Sequence, residues 1–244
     1  MAIPHFGLFW QRIRKEFGKF QIHPPLGTVT EEFPTAGKKA GTTLGIELID
    51  EPVVRCWFLD DKGNHIVQIQ RDRFAYNWRK VTGEEPYPRY EHVRAVFERE
   101  WRRFCVFLTD EGMGSPEVNQ CEVTYVNHIA YEKGWKSFGE LNKVLASWSG
   151  ARSGRFLPEP EKVSVAVKYV IPENQGRLHF TVQPVVRHRD AAELLQLNIV
   201  ARGAPASSQI EDILQWMDLG RKWIVEGFTD FTTDSMHRLW GRTQ

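Results

Sequence analysis

"IVQIQRDRFAYNWRK", residues 66–80, decides how the first half of the chain is read. Val67 and Ile69 put apolar side chains at odd positions, whereas Phe74, Tyr76 and Trp78 put them at even ones. Strand side chains alternate between two faces, so the apolar parity changes sides across Arg71, Asp72 and Arg73. Upstream, Val53 to Leu59 has strand composition and Asp61-Lys62-Gly63-Asn64 has turn chemistry. The pattern predicts a hairpin whose second strand runs from His65 to Trp78. A β-bulge at the charged triplet would account for the parity change, because one inserted residue swaps the face turned to the core. A long strand crossing from one part of a sheet to another would do the same.

Working outward, Phe6, Phe9, Trp10, Ile13 and Phe17 follow helical spacing, with Pro4 at the start and Gly18 at the end. Residues 22–45 read as a long connection with room for one short strand. Val81 to Arg89 is a loop, and the next helix carries Val93, Val96, Phe97, Trp101, Phe104, Cys105 and Leu108 up to Gly112 and Gly114. Cys121 to Ile129 is a strand. Ser137 with Glu140 predicts a capping box for a short helix that buries Phe138, Leu141, Val144, Leu145 and Trp148. "SGARSGRFLPEP", residues 149–160, has linker composition. Beyond it, strands are expected at Val163 to Ile171, Leu178 to Val186 and Leu194 to Ala201. Ser208 is expected to cap a helix in which Gly220 and Gly227 permit close packing, and a last short helix spans Thr233 to Trp240. The expected fold is α+β: an antiparallel sheet with long helices on one face, in two similar sub-halves. The expected division is 1–148, a linker at 149–160, and 161–244.

Composition narrows the function classes. A hydrophobic fraction of 41% in 244 residues is ample for a packed core, and a net charge of +1 gives no global field for nucleic acid. Cys56, Cys105 and Cys121 form no CxxC and have no His at zinc-finger spacing, so neither a disulfide scaffold nor a structural metal is expected. Residues 1–20 have no signal-peptide pattern, and no apolar run approaches a membrane span; the expected setting is soluble and cytoplasmic. Phosphate-loop, dinucleotide, metalloprotease and nucleophile-elbow signatures are all missing, so no cofactor and no catalytic residue is assigned.

"RCWFLDDKGNHIVQIQRDRFAYNWRK", "YPRYEHVRAVFEREW" and "QCEVTYVNHI" resemble the TIGR04255 family, a sporadically distributed bacterial and archaeal family of unknown function. The resemblance covers about residues 5–130 and is weak after the linker. It implies no reaction. A sporadic distribution suits a gene moved between genomes, as defence and toxin–antitoxin genes are. In the family an apolar strand precedes the helix that corresponds to "HFGLFWQRI"; with Met1 as the first residue, the resemblance implies a sheet edge without its neighbour, open to a partner strand or a second copy.

Two clusters are binding candidates. Arg71 and Arg73, two apart on a strand, would project one way about 6–7 Å apart and grip a phosphate or carboxylate, with Asp72 orienting one of them. Tyr87, Arg89 and Tyr90 stand at a loop-to-helix junction, with Tyr76 and Trp78 as aromatic neighbours. Glu122, Thr124 and His128 share a strand face, but four residues of strand is about 13 Å, too far for a direct acid–base pair. The leading expectation is a non-enzymatic protein-binding module. A second is a nucleic-acid binder using Arg71, Arg73, Arg79, Arg89, Arg187 and Arg189 with Tyr76, Trp78 and Tyr90. A third is a hydrolase with an unfamiliar site among Arg71, Asp72, Arg73, Glu122 and His128.

Overall fold

The parity change is a turn. The computed structural model describes residues 1–33, 54–149, 156–187 and 190–241. In it β3 (His65–Gln70) and β4 (Arg73–Trp78) are separate antiparallel strands joined by Arg71 and Asp72 alone. His65 pairs with Trp78, Val67 with Tyr76 and Ile69 with Phe74. Across a two-residue connection, paired residue numbers always add to an odd total. Odd residues of β3 therefore share a face with even residues of β4. This corrects the single bulged strand. The turn carries no Asn-Gly or Asp-Gly, and neither central residue has a positive φ, the feature that usually marks so short a hairpin.

The chain divides into two units, Met1–Glu117 and Val118–Gln244. In the first, α1 (Ile3–Ile13), β1 (Lys19–His23), β2 (Arg55–Leu59), β3, β4 and α2 (Arg89–Asp110) follow in order, and the sheet order is β1-β2-β3-β4. Val53, the expected first residue of β2, lies outside the described residues. Phe6, Phe9, Ile13 and Phe17 from the α1 segment meet Cys56, Phe58, Val67, Ile69 and Tyr76 from the sheet and Phe104, Phe107 and Leu108 from α2. Phe9 is fully buried, with its ring 5.3 Å from both Phe104 and Phe107 and 6.3 Å from Phe58. Trp101, expected at the centre of the α2 stripe, packs half-buried against Phe74 at 5.4 Å, while Phe107 takes the central place. Glu100, also fully buried, is held by Arg99 Nε at 2.6 Å and Arg103 Nη1 at 3.2 Å.

In the second unit β5 (Cys121–Ala130), β6 (Val165–Ile171), β7 (Gly176–Arg187) and β8 (Ala192–Gly203) form an antiparallel sheet in the order β5-β8-β7-β6. β5 pairs with β8 along its whole length. The compact units thus divide before β5 rather than at 149–160, a segment of which 150–155 lie outside the described residues. The α3 helix (Ile210–Phe231) lies on this sheet through its glycines: a Cβ at Gly227 would meet Leu178 Cδ2 at 2.7 Å and Phe180 Cζ at 3.1 Å. Ser208 accepts from the Val118 N–H instead of capping α3. Ser137 likewise makes no cap; its hydroxyl donates to Glu159, and Phe138–Lys143 is a 3-10 turn. Thr233 does cap α4 (Asp234–Leu239), accepting from the Met236 N–H.

Substituting Phe9→Ala is expected to destabilise the first unit by about 3–5 kcal/mol, and Trp101→Ala by less, because only Phe9 leaves a sealed cavity. Urea denaturation of both variants checks the order; a larger loss for Trp101→Ala would place the core elsewhere.

Candidate functional site

Asp72 and Arg73 of the charged triplet join Gln70 in a clamp on residues 26–28. The Leu26 N–H donates to Gln70 Oε1 and Gln70 Nε2 donates to the Leu26 carbonyl, both at 2.8 Å. Gln70 is buried and so replaces a strand's backbone pairing with a side-chain amide. Its Nε2 also donates to Asp72 Oδ1 at 2.8 Å, and Thr28 Oγ1 donates to Asp72 Oδ2 at 2.9 Å. Arg73 Nη2 reaches the Gly27 carbonyl at 3.4 Å. Asp72 therefore orients Gln70 and Thr28, not an arginine, and Arg71 stands exposed at the tip. The arginine pair projected from a single strand is not formed, since Arg71 lies in the turn and Arg73 begins the next strand.

The aromatic candidates gather at the opposite end of the hairpin, five strand residues or about 17 Å away. A cleft of about 500 Å³ there is lined by Glu16, Asp60, Asp61, His65, Trp78 and Glu85, among others. Trp78 meets Tyr87 edge-on at 5.5 Å. Tyr76 is not a surface platform: it is buried in the core, its hydroxyl pairs with His65 Nδ1, and burial pushes its phenol well above the ordinary range. Arg89 opens α2 with φ at 60°, and Tyr90 follows half-buried. Two carboxylates of the cleft, Glu85 and Asp60, hold backbone. Glu85 accepts from the N–H groups of Val81, Thr82 and Gly83 and from Asn64 Nδ2, which holds it well below the usual carboxylate range. Asp60 Oδ1 accepts from the His65 N–H. His65 itself has a lowered pKa, chiefly from burial, with Asp60 opposing and His92 and Arg99 adding to it.

The other expected constellations disperse. Arg187 is bound two-pronged by Asp190, Arg79 donates to the Gly63 carbonyl, and Arg189 lies outside the described residues. Glu122 pairs with Arg202 and His128 with Gln196, both in the second unit, whereas the triplet is in the first. Among the described residues no group of His, Cys, Asp and Glu is placed to hold a metal ion, and no helix is long and apolar enough to cross a membrane. Burial pushes the Cys121 thiol up to about 12.

The sequence reading missed β1. Phe20 pairs with Phe58 and Ile22 with Cys56, so both point to the helix-covered face of the sheet. The core ends before it reaches them, and they remain 57% and 66% exposed. Trp10 touches Phe20 edge-on at 5.4 Å, and Ile3 and Gly7, on the same side of α1 by helical spacing, extend the apolar strip. Among the described residues β1 has β2 on one side and no strand on the other. The alternation in "KFQIH", residues 19–23, was the available signal. Comparison of the chain with family models, with curated proteins and with solved structures returned no match.

Gln70→Ala is expected to cost about 1–3 kcal/mol, because it strands the Leu26 backbone groups, whereas Arg71→Ala stays within about 0.5 kcal/mol. Equal losses in chemical denaturation would contradict the clamp. The lowered His65 pKa sets a sign as well. Below about pH 6.5 the unfolded imidazole takes a proton that the folded one resists, so stability falls on acidification. His23, also lowered, acts the same way. Urea midpoints at pH 7 and pH 5 should show a smaller drop in His65→Gln than in the wild type; stability that rises on acidification would contradict the assignment.

Proposed function

We propose that the protein is a non-enzymatic binding module that receives an extended segment of a partner protein along β1. The observation that carries this is an edge strand whose two apolar side chains, Phe20 and Ile22, stand more than half exposed beside Trp10 and Ile3. An open edge offers backbone donors and acceptors for an added strand, and alternate apolar side chains give it specificity. Burying each side chain contributes roughly 1.5–3 kcal/mol. The cleft supports binding more than catalysis, since Asp60, Glu85 and His65 are each committed to neighbouring groups.

A photo-crosslinking residue at Gln21 provides the test. The wild-type background is expected to capture a defined partner peptide, and Phe20→Ser or Ile22→Ser to weaken that complex about tenfold or more while the melting temperature stays nearly constant. A captured peptide from this same chain would make the occupant a second copy. Capture that is unchanged in both variants, or no captured protein at all, would sink the proposal.

A further inference from the structure

Trp57 stands on the other face of the first sheet. Its neighbours Cys56 and Phe58 belong to the core shared with α1 and α2, so Arg55 and Trp57 turn away from the helices. The His23 ring centre lies 3.9 Å from that of Trp57, and the Arg55 and Arg79 guanidinium carbons lie 5.4 and 5.5 Å from it. Three cation-capable groups, from β1, from β2 and from the residue after β4, thus converge on one indole. Arg79 donates to the Gly63 carbonyl, yet among the described residues neither arginine is paired with a carboxylate. Burial first, and then the two arginines, hold the His23 imidazole below its ordinary pKa.

A second observation points to a missing acceptor. Among the described residues, Arg55 Nε, Trp57 Nε1 and Asn77 Nδ2 are buried without a hydrogen-bond partner. Asn77 shares this face, since its neighbours Tyr76 and Trp78 pair toward the core with Val67 and His65. All three orphans are donors. Buried polar groups in folded proteins are ordinarily paired, and a cluster left open with one polarity reads as a place for a ligand of the other. His23 Nε2 is paired with Gln21 Oε1 at 3.1 Å, but two guanidinium forks, an indole N–H and an amide still offer more donors than the two oxygens of a carboxylate can accept. They suit the three or four oxygens of a phosphate, which arginine grips two-pronged.

We propose that the Trp57 cluster binds a phosphate group. It lies on the face of β1 opposite Phe20 and Ile22, so it stands or falls separately from partner binding at the edge. The phosphate is either that of a free phosphomonoester or the backbone of a single-stranded nucleic acid, and the two sources differ in how they titrate.

The full chain labelled with nitrogen-15 tests the proposal, its Trp57 indole N–H resonance assigned from Trp57→Phe. Inorganic phosphate, a nucleoside monophosphate and a short single-stranded oligonucleotide are titrated in turn. The Trp57 indole resonance is expected to shift with phosphate. Arg55→Gln and Arg79→Gln should each weaken binding about tenfold or more, while the amide resonances of the first-unit core confirm that the variants fold. Tightest binding by the monophosphate identifies a small ligand. Far tighter binding by the oligonucleotide, with steep salt dependence, identifies a strand backbone. An indole resonance unmoved by all three probes, or variants that bind as the wild type does, would overturn the assignment.

Discussion

Val67 against Tyr76 and Ile69 against Phe74 is the pairing on which the first unit rests. It puts four apolar side chains on one face, and α2 closes over them with Phe104 stacked on Phe74 at 5.1 Å. A slip of one residue would turn Phe74 and Tyr76 out and bring Arg73 and Ala75 in. Register is therefore under strong constraint, yet the turn residues supply none of the usual backbone preference. The constraint comes from outside the hairpin, through Gln70 and Asp72 gripping residues 26 and 28. The same register brings His65 to Trp78 at the cleft and turns Asn77 toward the Trp57 face.

The two units solve one architectural problem with different chemistry. The second uses strands of 7 to 12 residues and a helix whose glycines let it sit close on the sheet. The first uses five- and six-residue strands, fills its core with phenylalanine rings, and buries a carboxylate. Glu100 is fully buried between Arg99 and Arg103, and Glu16 pairs with both arginines at 2.7 Å. Such a network repays its desolvation only when every member is paired, so it specifies how α2 meets the α1 segment more than it stabilises. The apolar cover of this sheet is incomplete at β1, where Phe20 and Ile22 stay more than half exposed.

Periodicity found the helices, because α1, α2 and α3 each show an apolar stripe to one side of the chain. The α+β class and the close approach at Gly220 and Gly227 were legible for the same reason. The turn at Arg71 and Asp72 was not, since what makes it a turn is an amide 44 positions away from its partner. Nor was the boundary before β5: a Gly-rich segment looks like a linker whether or not the strands on either side of it pair. The candidate residues were read as one surface along a strand, but folding the strand in two placed Arg71 and Trp78 at opposite ends. Phe20, Ile22 and Trp57 drew no notice because their significance lies in what fails to cover them.

The functional account depends on β1 being an open edge that a partner completes. Amide hydrogen exchange measured on the free protein and on its complex tests this most directly. The account predicts that peptides covering residues 19–23 exchange faster than those of β2 and β3 in the free protein, because among the described residues β1 has a strand on one side only, and become protected in the complex. Residues 19–23 protected to the level of β3 in the free protein, or left unprotected in the complex, would contradict it.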